Sequence, residues 1–384
     1  MRMFVVLPGV LSLLAYSGPA FADDCEAPCA GYEISADLQN DWIVSGNPSS
    51  LTSNNLYPSI STDLFLAPTD AFKFVASITT EQVIDPAPGS STAFYGTGLY
   101  AEELYAVLAA GPVQLRAGKI DTIFSLMSEI DPGINAIDIA TNIDADERWG
   151  VEAALGFEAL DFKHSIAATA FTVDRTFLSN SLLNSRGATS LSDGGAGNVA
   201  GVGSAAITLS GCKGAEPADC YDEGDFGYRV GFRFQRAGHA SPDQIDAGID
   251  PVNELAGVAA ATAKFEVGDM TVRLLGETAY VRGFESNPDN ALITTGSAAL
   301  EIDAMTYTAA ISRQKTYVRD DADTVERLLE VSAVYQSEDD VPLDGASWSA
   351  GVAYDYSRDV DAQTAHMLSL LLSFTFGGSQ EFGK

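Results

Sequence analysis

The run His366-Met-Leu-Ser-Leu-Leu-Leu-Ser-Phe-Thr-Phe-Gly377 constrains this chain more than any other stretch. Side chains on a β-strand alternate between two faces. Read that way, Leu368, Leu370, Leu372, Phe374 and Phe376 form one face, and Met367, Ser369, Leu371, Ser373 and Thr375 form the other. One face is continuously apolar and ends in aromatic rings; its opposite is mostly small and polar. That pattern suits a strand between lipid and water, with aromatics at the boundary. A strand of a soluble sandwich looks similar in isolation, so the rest of the chain has to decide.

Residues Met1–Ala22 read as an export leader. Arg2 supplies the positive start, Phe4–Leu14 the short apolar stretch, and Ala20-Phe21-Ala22 the small residues a signal peptidase needs. Nothing before Cys25 makes a lipoprotein cleavage box. The mature chain, 23–384, also lacks the run of about 18 apolar residues expected of a membrane-spanning helix. An exported chain without a helical span is periplasmic, secreted, or a barrel in the outer membrane.

Charge narrows the classes further. Fifty-three acids face 21 bases, a net charge of −32, and loss of Arg2 with the leader makes it one unit more negative. Nucleic acid needs basic patches and is excluded as a partner. Acidity of this kind solvates loops and draws cations. With 46% hydrophobic residues in periodic runs, the chain is not an acidic disordered one.

Alternating segments recur without an interdomain linker. They are Gly31–Val44, Tyr57–Ala67, Phe72–Ile84, Gly98–Ala109, Val113–Ile120, Arg148–Phe157, Phe162–Val173 and Ser204–Ser210 in the first half. Asp225–Arg236, Glu254–Phe265, Met270–Arg282, Ala291–Ile302, Ala304–Thr316, Val325–Gln336, Ala346–Ser357 and the terminal run follow. Segments of about ten residues match a tilted transmembrane strand. Sixteen of them place short and long connections alternately, as an even-stranded barrel with both ends on one side requires. The segment holding Cys212 and Cys220 is the exception, a long connection on the short side. Hydrocarbon offers no partner to a free strand edge, so such a sheet must close. The expected fold is all-β, a transmembrane antiparallel β-barrel of about sixteen strands.

The cysteines form two close pairs, Cys25/Cys29 and Cys212/Cys220. In an exported chain local disulfides are the ordinary reading. Zinc is the sharper alternative, but no histidine lies near either pair, and no metal or other cofactor is expected. Only His164, His239 and His366 could serve a catalytic triad, and two of them sit in strand segments, so no enzyme is expected. Asp193-Gly-Gly-Ala-Gly-Asn198 faintly matches a calcium turn, with an exposed loop as the plainer reading.

With these features in place, the chain resembles the sixteen-stranded diffusion porins of Gram-negative outer membranes. The likeness spans Gly31–Phe376, is architectural, and rests on no short motif. Two positions sharpen it: the long third external connection, 121–147, after Val113–Ile120, and the aromatic end of the last strand. The resemblance implies an outer-membrane site, contact with lipid, homotrimers, and insertion by the barrel assembly machinery reading Phe374 and Phe376. Most family members stop at that aromatic, whereas Gly377–Lys384 continues here and leaves Phe382 as an alternative signal. The resemblance further implies that the third loop folds into the pore and opposes its acids to basic wall residues. Here Arg116, Arg148, Arg229, Arg233 and Arg273 occupy lumen positions, with Lys119 at a strand end. The loop carries Glu129, Asp131, Asp138, Asp144 and Asp146. The competing reading is that the arginines pair with wall acids such as Glu152 and Glu277.

The expected function is passive passage of small hydrophilic solutes and ions, with modest cation preference. A substrate-selective channel and a structural or adhesive barrel using the Arg175–Ala200 loop remain as alternatives. Neither a lumen track of stacked aromatics nor a dense basic track, which would mark sugar or phosphate selectivity, is visible.

Overall fold

In the computed structural model, which describes residues 25–319, 321–337 and 346–382, period-two alternation becomes a closed wall. The leader, 1–22, lies outside these residues. Sixteen long strands follow one another: β1 (Cys29–Asn47), β2 (Ser53–Thr69), β3 (Phe72–Gln82), β4 (Thr97–Ala110), β5 (Val113–Ile120), β6 (Arg148–Ala159), β7 (Phe162–Val173) and β8 (Ser204–Lys213). They continue as β9 (Phe226–Gln235), β10 (Glu254–Val267), β11 (Met270–Arg282), β12 (Asn290–Ile302), β13 (Met305–Tyr317), β14 (Thr324–Gln336), β15 (Ser347–Arg358) and β16 (Thr364–Glu381). Two dipeptide pairings, Thr92–Ala93 and Leu182–Leu183, add to this sheet in the loops. Each long strand is antiparallel to the next, and β1 pairs with both β2 and β16, so the barrel closes.

The faces segregate as the alternation requires. On β16, Leu368, Leu370, Leu372, Phe374 and Phe376 are exposed on the outside, while Ser369, Ser373 and Thr375 are buried on the inside. On β9, Phe226, Val230 and Phe232 point out, and Arg229, Arg233 and Gln235 are buried inward. An outer face this apolar has lipid as its solvent.

Pairing outlasts the apolar pattern at the seam. β1 runs from Cys29 rather than Gly31, and Cys29 is opposite Glu381 on β16. Backbone ladder bonds need no apolar side chain, so the strand passes through Gly377, Gly378 and Ser379 beyond Phe376. At the rim bearing the termini, connections such as 111–112 and 268–269 are two residues long. Gly111 (φ 58°) and Gly268 (φ 68°) supply the left-handed backbone those tight turns need. The opposite rim carries the long connections, 121–147, 174–203 and 236–253.

Both cysteine pairs are disulfides, Cys25–Cys29 and Cys212–Cys220, and no described cysteine is free for zinc. The second disulfide closes the exceptional long turn, 214–225. That turn folds inward: Tyr221 packs near Leu126 and Met127 of the third loop, and Ala218 packs on Ile123. Arg273 on β11 donates to the Tyr221 carbonyl and, at 2.7 Å, to that of Asp222.

Candidate functional site

Segment 121–147 is fastened to inward-facing side chains of the wall. Glu277 on β11 accepts from Ser125 Oγ at 2.7 Å and from the N–H groups of Leu126 (2.6 Å) and Met127 (3.3 Å). These donors open the short helix α1 (Met127–Ile130), whose first N–H groups have no intrahelical acceptor. Glu330 on β14 takes the N–H groups of Ile134 (2.9 Å) and Asn135 (2.6 Å) in the same way. Gly133, at φ 113°, permits this approach, since a Cβ there would strike the Glu330 carboxylate. Asn135 then bridges to Asp355 on β15 and Ser369 on β16, both at 2.9 Å, and accepts from Gln39 of β1 at 2.8 Å.

Apolar packing supplies the second hold. Phe124, Ile139 and Ile143 meet Ala256, Val258, Ala279, Val281, Ala291, Ile293 and Leu328 from the inner faces of β10, β11, β12 and β14. Phe124 and Ile143 are fully buried, each worth about 1.5–3 kcal/mol relative to exposure. The loop's far end is clamped by charge. Arg186 forks onto both Glu147 oxygens, at 2.8 and 2.5 Å, and stacks 3.9 Å from the Tyr100 ring centre.

The basic candidates sit in contact with acids. Arg116 meets Glu152, its direct cross-strand neighbour, at 2.9 Å with both side chains buried. Lys119, fully buried, contacts Glu147 at 2.6 Å and Asp174 at 3.3 Å. Arg229 reaches Glu129 at 2.6 Å, Arg233 reaches Glu254 at 3.0 Å, and Arg273 reaches Glu301 at 2.6 Å. Arg148 has Arg233, Asp146 and Glu254 as electrostatic neighbours. Of these pairs Arg229–Glu129 and Lys119–Glu147 join a wall base to a loop acid, and both do so by contact rather than across an open gap.

Asp131 and Asp138 are placed differently. Both are exposed on the loop, and their electrostatic neighbours are acids. Asp131 has Glu330, Asp138 and Asp37; Asp138 has Asp41, Glu330 and Glu326. Although both side chains touch lumen water, the enclosing barrel displaces much of the solvent around them. That enclosure, and then the neighbouring carboxylates, push Asp131 up to about 7 and Asp138 up to about 6. Asp144 and Asp146 also lie above the ordinary carboxylate range, first through burial; Asp146 repels Asp144, while Arg148 partly offsets the rise at Asp146.

The facing wall repeats the sign. Inward positions of β1 to β4 carry Glu33, Asp37, Asp41, Asp63, Glu81 and Glu103, with Lys73 near the rim of the termini. Tyr57 donates to Asp41 at 2.7 Å and holds that carboxylate in place. The opening strands' acids, together with Glu330, Asp355 and the loop anchor Asn135, were not singled out in the sequence. Parity alone places the wall acids on the lumen face. The apolar inner faces of β10 to β12 were the available sign that something covers them.

Two histidines serve aromatic clusters. His164 stacks 4.9 Å from Phe157 and lies 3.0 Å from Tyr228 Oη. His366 Nδ1 is 2.6 Å from Tyr354 Oη.

No protein-family model matches the chain, and no curated protein sequence is significantly similar to it. Solved structures do share its architecture. OprB of Pseudomonas putida, in a high-pH structure, superposes at a TM-score of 0.57 with 9% identity, over 91% of this chain and 94% of that one. The outer membrane channel DcaP of Acinetobacter baumannii gives 0.55 and 12%, over 92% and 99%. A loop L8 deletion mutant of OmpT, an outer membrane protein of Vibrio cholerae, gives 0.51 and 10%, over 91% and 100%. At such identities the likeness is one of fold. The fold is that of the sixteen-stranded outer-membrane porins.

Proposed function

We propose that this protein is an outer-membrane channel for passive passage of small hydrophilic solutes and ions, and that it prefers cations. Segment 121–147 narrows the passage. One observation carries the preference: Asp131 and Asp138 of the loop have Asp37 and Asp41 of β1 as neighbours, so both sides of the gap are acidic. The bases that would oppose them, Arg116, Lys119, Arg229, Arg233 and Arg273, are 6% exposed or less and ion-paired. A lumen of one sign concentrates counter-ions and excludes co-ions. The resemblance to porins adds homotrimers and insertion by the barrel assembly machinery. Swelling of liposomes holding the purified protein tests the reading. Swelling in a basic amino acid outpaces that in an acidic one of similar size, and absence of swelling in any small solute overturns the channel.

A further inference from the structure

Three arginines on neighbouring strands stand in one row on the outside of the barrel. Arg313 on β13 is directly opposite Arg327 on β14, and Arg327 is directly opposite Arg358 on β15. They share the parity of the lipid-facing residues: the next outward positions in the ladder are Ile311, Leu329 and Tyr356. Arg327 and Arg358 are exposed and Arg313 is half-buried.

None of the three forms an ion pair with a described residue, whereas nearby Lys315 meets Asp323 at 2.7 Å. Like charges directly opposite one another on paired strands repel. In a chain with 53 acids and 21 bases, acidic partners are plentiful. The row is a positive strip left open to an outside counter-charge.

Its height identifies the surroundings. Tyr335, beside Trp348 at 5.3 Å, marks the aromatic level near the rim of the termini. From there to Arg327 the strand covers about 27 Å at roughly 3.3–3.4 Å per residue. With a tilt of 35–45° this is about 20 Å along the membrane normal, against an apolar band of about 25 Å. Long arginine side chains reach on to the interface. Tyr354, Tyr356 and His366 stand just inside the row as a polar-tipped aromatic border.

We propose that Arg313, Arg327 and Arg358 bind the phosphate groups of a lipid in the leaflet around the rim opposite the termini. This rests on the outer-membrane reading above. Guanidinium groups engage phosphate oxygens through paired N–H donors, which an ammonium cannot match. At about 4.8 Å between strands the row spans about 10 Å, enough for a headgroup with more than one phosphate.

Native mass spectrometry of the detergent-purified barrel, with added diphosphorylated glucosamine lipid, tests the proposal. The native protein retains the lipid, and the Arg313→Gln/Arg327→Gln/Arg358→Gln variant loses at least tenfold in apparent affinity. Arg327→Gln alone, the central position, loses several-fold and guards against a folding defect in the triple variant. Dephosphorylated lipid fails to bind, and millimolar inorganic phosphate does not displace the intact lipid. Equal retention by the native protein and both variants overturns the proposal, as does binding of the dephosphorylated lipid. Displacement by inorganic phosphate overturns the lipid as occupant. Bilayer conductance of the same variants reports on the channel reading separately, because the row faces away from the lumen.

Discussion

Arg229 on the barrel wall and Glu129 on the third loop meet at 2.6 Å, with Arg229 only 1% exposed. Arg229 also donates to the Ser125 carbonyl at 2.7 Å, so one guanidinium holds both ends of a helical turn. It acts as a fastener. Arg229→Gln keeps a donor but loses the charge and the fork. The expected result is an open-channel current with larger fluctuations, while heat-modifiable migration stays native. A current as quiet as the native one would remove Arg229 from the loop's support.

Glu330 holds the loop's tip from the opposite wall. Glu330→Ala leaves the Ile134 and Asn135 N–H groups without their acceptor, at about 1–3 kcal/mol for each buried donor. Limited proteolysis of the folded barrel should then cut within 121–147 at least several-fold faster. Unchanged resistance would show that Phe124, Ile139 and Ile143 suffice.

Acid should weaken the cation preference. Asp131 at about 7 and Asp138 at about 6 are raised, so each is charged above its value and takes a proton as pH falls through it. Between pH 7.5 and 5 the gap loses negative charge, and the reversal potential moves toward zero. In Asp131→Asn/Asp138→Asn that slope flattens, since the titrating groups are gone. An identical pH profile in the variant would place the titration elsewhere.

Phe376 faces outward, opposite Ile34 on β1, but β16 continues to Glu381 and Phe382 is exposed beyond it. Phe376→Asp puts a charge on the lipid face, at a cost that rises with depth. Assembly should fail, with the chain degraded before it reaches the membrane. Normal levels in Phe376→Asp with loss in Phe382→Asp would assign the signal to the later aromatic.

The wall was legible because each strand carries its own solvent contrast. Leu368 to Phe376 and Phe226 to Phe234 announce a face without help from any partner. Ends were less so: Ser53-Asn54-Asn55 at the start of β2 have no apolar alternation and pair because β1 continues beside them. The charged lumen candidates were legible by parity, and so was Glu152 as a wall acid, which Arg116 meets at 2.9 Å; the hold of the wall on the loop was not. Glu277 and Glu330 grip backbone groups of a loop some 150 to 200 residues earlier, a relation no local pattern encodes. The assignment of acids to the open gap and arginines to the covered wall depends on where the loop lies, and the loop's place is set by those distant acceptors.

A planar-bilayer reversal potential across a tenfold KCl gradient at pH 7.5 tests the central claim most directly. A cation-selective potential is expected, and it shrinks at high salt as the Debye length falls from about 10 Å at 0.1 M to about 3 Å at 1 M. Asp131→Asn/Asp138→Asn should shift it toward anions. A potential of zero or of anion-selective sign in the native protein would contradict the acid-lined passage.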